Sequence, residues 1–184
     1  MLEGEDKLIK RAQKGEGDCF GSLYDHYLQS IYRYVFLKVS SKQEAEDLTH
    51  EVFVSAWENL KGYRLRGFPF SSWLYNIARN KVIDYYRTHK VHADIDGVDP
   101  DLFKLASNVE KEIDLTLDFQ KIKIAMSKLR EEQQDVLIMR FVDDLSHREI
   151  ALAMEKTEGA VRLAQHRALQ SLREILENDG RPNN

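Results

Sequence analysis

One cysteine, three prolines and nine glycines stand in a chain of 184 residues, and each scarcity excludes something. A single thiol, Cys19, can form no internal disulfide and supply no multi-thiolate metal site, so neither a disulfide framework nor a zinc knuckle holds this protein together. So few prolines and glycines do not furnish the many turns of a long all-β chain. No stretch approaches the roughly 20 apolar residues that span a bilayer. The opening Met1-Leu2-Glu3-Gly4-Glu5-Asp6 lacks the basic start and apolar run of a secretory signal. The expected location is the cytoplasm, without membrane insertion. What remains is a chain 42% apolar and 10% aromatic, suited to a globular fold stabilised by packing, and long enough for one domain or two small ones.

The total charge, 27 basic against 31 acidic side chains, hides a strong pattern. Residues 1–60 carry 7 basic and 11 acidic groups, residues 61–87 carry 6 and 1, residues 88–118 carry 3 and 8, and the remainder carries 11 and 11. A basic block therefore lies between two acidic ones. The stretch His92-Ala93-Asp94-Ile95-Asp96-Gly97-Val98-Asp99-Pro100-Asp101 has acid, Gly and Pro with little periodicity, as a linker does. The expected fold is all-α: a helical domain over 1–87, an acidic linker over 88–118, and a second helical domain over 119–184.

Phe20, Leu23, Tyr24, Tyr27, Ile31, Tyr34 and Val35 form an apolar stripe of helical period in the first domain. Ser41-Lys42-Gln43-Glu44 has the form of a capping box that opens a helix burying Ala45, Leu48, Val52, Phe53, Ala56, Trp57 and Leu60. Its opposite face aligns Glu44, Asp47, Glu51 and Glu58 in one acidic stripe, either a solvated face or a docking surface. The loop Lys61-Gly62-Tyr63-Arg64-Leu65-Arg66-Gly67-Phe68-Pro69-Phe70 precedes a helix that Ser71 or Ser72 can cap. Seven rings (Tyr63, Phe68, Phe70, Trp73, Tyr75, Tyr85, Tyr86) lie among the six cations of 61–87. Single-stranded nucleic acid requires that mixture, because rings stack on unpaired bases and cations neutralise phosphates. Trp73 with Leu74, Ile77, Ala78 and Val82 also fits a buried face, while Asn80, Asp84 and Arg87 share a polar one.

In the second domain, Ile122, Ala125, Met126 and Leu129 mark one helix and Val136, Leu137 and Phe141 another. Ser146-His147-Arg148-Glu149 is a further capping box, and the turn Glu155-Lys156 leads to Thr157 as N-cap of a helix burying Val161, Ala164, Ala168, Leu172 and Ile175. A short helix, a tight turn and a longer helix make a helix-turn-helix, whose second helix can enter a major groove. Facing outward are Glu158, Gly159, Arg162, Leu163, His166 and Arg167.

The order of these pieces resembles a bacterial RNA polymerase sigma factor of the extracytoplasmic-function group, which keeps the second and fourth conserved sigma regions. The resemblance is carried by Ala45-Glu46-Asp47-Leu48-Thr49-His50-Glu51-Val52-Phe53, by Phe70-Ser71-Ser72-Trp73-Leu74-Tyr75-Asn76-Ile77-Ala78-Arg79-Asn80 with Asp84 and Arg87, by Leu145-Ser146 through Glu149-Ile150-Ala151, and by Gly159-Ala160-Val161-Arg162 with His166-Arg167-Ala168. It implies that Glu44, Asp47, Leu48, Glu51, Val52 and Trp57 dock on core RNA polymerase. It implies that Tyr63, Arg64, Arg66, Phe68, Phe70, Trp73, Arg79, Asn80, Asp84 and Arg87 melt and read the minus-ten promoter element. Arg140, Ser146, His147, Thr157, Glu158, Gly159, Arg162, Leu163, His166 and Arg167 would meet the minus-thirty-five element, and a separate anti-sigma protein would be the regulator. His50 stands where this family often has Gln, and Leu163-Ala164-Gln165 replaces its more usual Ser-Arg pattern.

Other classes explain less. A stand-alone helix-turn-helix regulator uses the second domain but leaves the acidic stripe and the aromatic-basic block idle, and a net charge of −4 gains little from counterion release alone. His89-Lys90-Val91-His92 lies in the tether without nearby cysteine, and neither His50-Glu51 nor His147-Arg148-Glu149 has the second histidine of a zinc protease. No enzyme activity, metal or cofactor is expected.

Overall fold

The computed structural model describes residues 2, 4–64, 68–88, 121–122 and 124–179, and every regular element among them is helical. The expected linker over 88–118 lies outside the described residues beyond Thr88, as does Arg66. Its helices include α1 (Glu5–Ala12), α2 (Gly17–Val39), α3 (Lys42–Asn59), α4 (Phe70–Thr88), α5 (Glu131–Leu137), α6 (His147–Ala153) and α7 (Glu158–Asp179).

Helix α2 is the spine. Its stripe of Cys19, Leu23, Tyr27, Ile31, Tyr34 and Val35 is buried, as the period requires, and α1, α3 and α4 pack around it. Each fully buried Ile or Leu on such a face contributes about 1.5–3 kcal/mol. Where α1 meets α2, the buried Glu5 carboxylate accepts a hydrogen bond from the Tyr27 hydroxyl. Ser41 caps α3 by accepting from the Glu44 amide at 3.4 Å, the first half of the expected box. Helix α4 begins at Phe70, with the Trp73 amide bonded to the Pro69 carbonyl at 3.2 Å, so Ser71 and Ser72 lie inside its first turn rather than capping it.

The second unit keeps the expected helix-turn-helix. Ser146 and Glu149 form the full reciprocal capping box of α6, and Thr157 Oγ1 accepts from the Ala160 amide at 3.2 Å to start α7. Between them Glu155 takes a left-handed conformation, φ 55°, and the Lys156 amide bonds back to Ala151 at 2.8 Å, which turns the chain sharply without glycine. Two apolar expectations fail here. Phe141 is 57% exposed because Ile138–Val142 winds as a π-turn, which adds a residue to the helical period and rotates the ring out of the face that carries Val136. Ile122 is 44% exposed.

The sequence does not announce that the two units share one core. Val136, Ile138, Met139, Leu145, Ile150, Ala153 and Val161 belong to the same apolar cluster as α2, α3 and α4. At its centre lies a charged group. Asp135 is 2% exposed, and its carboxylate meets Lys38 Nζ at 2.9 Å, Arg79 Nε at 3.0 Å and the Tyr34 hydroxyl at 3.0 Å. Nearby, Asp143 accepts from Arg33 Nε and Nη2 at 2.9 and 2.7 Å, and Asn76 Nδ2 donates to the Ala153 carbonyl at 3.0 Å. Burial pushes the Asp143 carboxyl up, against the pull of Arg33.

Removing one member of a buried charge cluster leaves the others unpaired, at about 3–5 kcal/mol. Asp135→Ala is therefore expected to part the two units, read as a larger radius of gyration in small-angle scattering, whereas Asp135→Asn keeps the volume and part of the hydrogen bonding and should fall between. An unchanged radius in both variants would mean that apolar contact alone holds the units together. A second expectation concerns alkali. Burial raises the phenols of Tyr27, Tyr34 and Tyr75, and raises Tyr63 to about 12. With folded values above the unfolded one of about 10, their stabilising contribution is whole below roughly pH 10 and is lost as pH rises past it. Phenolate absorbance should show these tyrosines ionising only as helical circular dichroism disappears; their ionisation with helix intact would contradict the packing.

Candidate nucleic-acid interface

Three surfaces carry the residues that the sequence singles out. The first is the outer face of α3. Asp47, Glu51 and Glu58 are exposed and Glu44 half-exposed, so the acidic stripe exists as a surface, with Glu51 bridged to Lys81 of α4 at 3.0 Å. The apolar members of the docking set divide. Leu48 and Val52 are buried, at 6% and 0%, because they face α2 and α4, and they can shape this surface but not touch a partner. Trp57, expected inward, is 40% exposed with its ring 4.9 Å from Phe20, and it is the apolar group that the face offers.

The second surface is the loop before α4 and the outer side of that helix. Phe68 is 44% exposed and Arg64, Asn80, Asp84 and Arg87 lie outside, Arg87 paired with Asp84 at 3.1 Å. Two rings of the expected stacking set are not available. Tyr63 and Phe70, 8% and 1% exposed, pack with each other and with the half-buried Trp73 at centroid distances of 4.9–5.5 Å, forming the floor under the loop. Arg79 is bound to Asp135, and Asn76 and Ser71 also reach into the second unit, Ser71 to Glu149 at 3.4 Å. One side of α4 is thus covered by α5 and α6.

The third surface is the helix-turn-helix, and it is open. Thr157, Glu158, Gly159, Arg162, Leu163, His166 and Arg167 are all exposed, Leu163 at 49%. Arg162 leans on Glu158 at 3.2 Å, an exposed pair of little energetic weight that frees the guanidinium easily. His147 Nε2 meets Gln165 Oε1 at 2.7 Å and so fixes α6 against α7, a structural use for a residue expected at DNA. Arg140, also expected at DNA, donates from Nη1 to the Leu145 carbonyl at 3.0 Å and braces the turn before α6. The interface groups that sequence reasoning missed are Arg33, Lys38, Asp135 and Asp143. Their one local signal is charge set within apolar runs, Val35-Phe36-Leu37-Lys38 and Asp135-Val136-Leu137-Ile138. Among the described residues no cluster of His, Cys, Asp or Glu is arranged to hold a metal ion, and no helix is long and apolar enough to cross a membrane.

Comparison with known proteins follows the same division of the chain. The sigma-70 region 2 family matches residues 23–91, and the sigma-70 region 4 family matches residues 119–172. The ECF RNA polymerase sigma factor BldN of Streptomyces coelicolor is 35% identical over 176 residues, covering 95% of this chain and 67% of that protein. The ECF RNA polymerase sigma factor SigW of Bacillus subtilis is 28% identical over 181 residues, covering 94% and 96%. Among solved structures, CnrH in complex with the cytosolic domain of CnrY shares the fold with a TM-score of 0.74 at 20% identity, covering 96% of this chain and 99% of that one.

Gly159 gives this surface a sharp test. It sits in the exposed first turn of α7, and a Cβ built there would meet no atom within 4 Å, so nothing inside the protein demands glycine. Gly159→Ala is expected to stabilise the fold by about 0.4–1 kcal/mol through the unfolded chain, while weakening contact with duplex DNA if the backbone must approach it closely. Thermal unfolding and a duplex-binding titration together decide this; a gain in stability with unaltered DNA affinity would remove Gly159 from the contact.

Proposed function

The chain belongs to the sigma-70 family, in the extracytoplasmic-function group of RNA polymerase sigma factors, and on that premise we propose which of its surfaces carries each step of promoter use. A sigma factor of this group binds core RNA polymerase and directs promoter recognition, melting and initiation. The exposed acids Asp47, Glu51 and Glu58, with Glu44 and the Trp57 ring, form the side that docks on core polymerase. The loop with Arg64, Arg66 and Phe68 captures an unstacked base of the minus-ten element. The floor of Tyr63, Phe70 and Trp73 shapes that pocket, and Arg79, Asn80, Asp84 and Arg87 follow the strand along α4. Helix α7 lies in the major groove at the minus-thirty-five element, with Arg162 and His166 toward base edges, Arg167 toward phosphate, and Leu163 in reach of thymine methyls.

The observation that carries this reading is the presence, in one chain, of an aromatic-basic loop and helix suited to melted DNA and an open helix-turn-helix suited to duplex DNA. A stand-alone regulator needs only the second. The two surfaces also set a geometric requirement. Elements named minus ten and minus thirty-five lie about 25 base pairs apart, some 85 Å at 3.4 Å per step, whereas a compact chain of this length has a radius of gyration of about 16 Å and is roughly 40 Å across. The described arrangement cannot reach both elements, so the units part at the Asp135 cluster when the promoter is engaged, and parting releases Arg79 for DNA. The partners are core RNA polymerase, promoter DNA and a separate anti-sigma protein, and the place of action is the cytoplasm. Bond making in transcription belongs to the core enzyme; the chain contributes binding and strand capture rather than catalysis.

Run-off transcription with purified core polymerase tests this reading, and dependence of promoter-specific product on the chain is the expected result. Asp47→Arg together with Glu51→Arg should weaken core binding without loss of helix content, because exposed pairs such as Glu51 with Lys81 contribute about 0–1 kcal/mol to stability. Unchanged core affinity would sink the docking assignment. Arg162→Ala is expected to change which minus-thirty-five variants are transcribed, by about 1–3 kcal/mol at one position. A profile that is a scaled copy of the wild type would take Arg162 out of base reading.

A further inference from the structure

Helix α1 contributes no residue to any of the three surfaces, yet it reaches one of them. Gln13, the C-cap of α1, is half-buried, and both hydrogens of its side-chain amide are used: Nε2 donates to the Leu60 carbonyl at 2.9 Å and to the Tyr63 carbonyl at 2.8 Å, 47 and 50 residues along the chain. Those carbonyls bracket the short 3-10 turn, Leu60–Gly62, that connects the end of α3 to the loop before α4. Leu60 is the C-cap of α3, so its carbonyl belongs to the group that a helix end leaves without an internal partner. The Tyr63 amide closes the turn on Leu60 at 3.1 Å, and the Tyr63 hydroxyl donates to the Phe68 carbonyl across the neck of the loop. The Tyr63 ring is clamped against Phe70 and Trp73 at 5.5 and 4.9 Å.

These contacts form a chain of fixed geometry: Gln13 holds the Tyr63 backbone, Tyr63 holds Phe68, and Phe68 is the exposed ring of the loop. We propose that Gln13 is a positioning residue for strand capture, setting from outside the loop the orientation in which Phe68 and Arg64 are presented to an unstacked base; this rests on the reading of residues 61–87 given above. Without the amide, the Tyr63 carbonyl loses its donor in a half-buried space, the Leu60 carbonyl keeps only the Tyr63 amide, and the turn becomes a hinge. The loop then spends less of its time in the capturing orientation, and the apparent strength of capture falls with that fraction.

The test uses the full chain bound to core polymerase and two promoter templates, one fully duplex and one opened by mismatches over the minus-ten element. Gln13→Glu is the informative variant, because it keeps the size of the side chain and replaces the donor by an acceptor; Gln13→Ala removes the amide without adding charge. Both are expected to lower open-complex formation on the duplex template by about tenfold, the scale of two neutral hydrogen bonds, and to transcribe the opened template within about twofold of wild type. A role confined to folding or to core docking would lower both templates alike, and that outcome overturns the proposal. A defect in Gln13→Glu alone would trace to charge and overturns it as well. Phe68→Ala is run beside them: a duplex-specific loss there with none in the Gln13 variants rejects the role of Gln13 while leaving strand capture standing. No duplex-specific loss in Phe68→Ala would reject strand capture by this loop, and the proposal with it.

Discussion

One buried carboxylate governs how this chain is arranged. A charge taken out of water costs several kcal/mol unless its hydrogen-bonding capacity is met, and among the described residues Asp135 meets that demand with groups from the other unit: Lys38 and Tyr34 of α2 and Arg79 of α4. Apolar faces slide and repack at modest cost, but a carboxylate with three directed partners has one register. The Asp135 cluster therefore fixes how α5 sits on α2 and α4. Arg33 on Asp143 and Asn76 on the Ala153 carbonyl follow from the same docking.

The same chemistry makes the contact reversible. An interface sealed only by apolar surface gains nothing from water when it opens, whereas Lys38, Arg79 and Asp135 each recover hydration, which offsets much of what is lost. On the proposed reading the chain passes from a body about 40 Å across to a span near 85 Å, and a contact of that kind suits the passage. The asymmetry of the surfaces is also explained. The exposed face of α7 can meet duplex DNA in the closed arrangement, while α4 has Arg79 and Asn76 engaged. On the proposed reading, affinity for the melted strand is scaled by the fraction of molecules in which the units have parted.

Much of this was legible in the sequence, and the reasons are local. The α2 stripe, the Ser146–Glu149 box, the Thr157 cap and the outward set from Glu158 to Arg167 depend on neighbours a few residues away, and repeating patterns report them. The misreadings arise where a local rule meets a distant partner. Tyr63 and Phe70 look like stacking rings because they sit among cations, but the hydrophobic floor between α2 and α4 claims them. Trp57 fits the buried period of α3 and still lies at its edge, and the π-turn at Ile138–Val142 turns Phe141 out. Asp135 and Tyr34 are 101 residues apart, and nothing in either neighbourhood names the other. Gln13 is silent in the same way, a polar residue after a short helix whose acceptors lie 47 and 50 positions on.

On this reading the sigma factor is closed through Asp135 when free and open when it works. The most direct measurement is the distance between spin labels on two exposed positions, Gln29→Cys of α2 and Gln170→Cys of α7, in a chain carrying Cys19→Ala. The free chain is expected to show one short distance, lengthening by tens of ångströms on binding core polymerase and promoter, and an intermediate or mixed distribution when Asp135→Ala is added. A transcriptionally active complex that keeps the short distance of the free chain would contradict that reading.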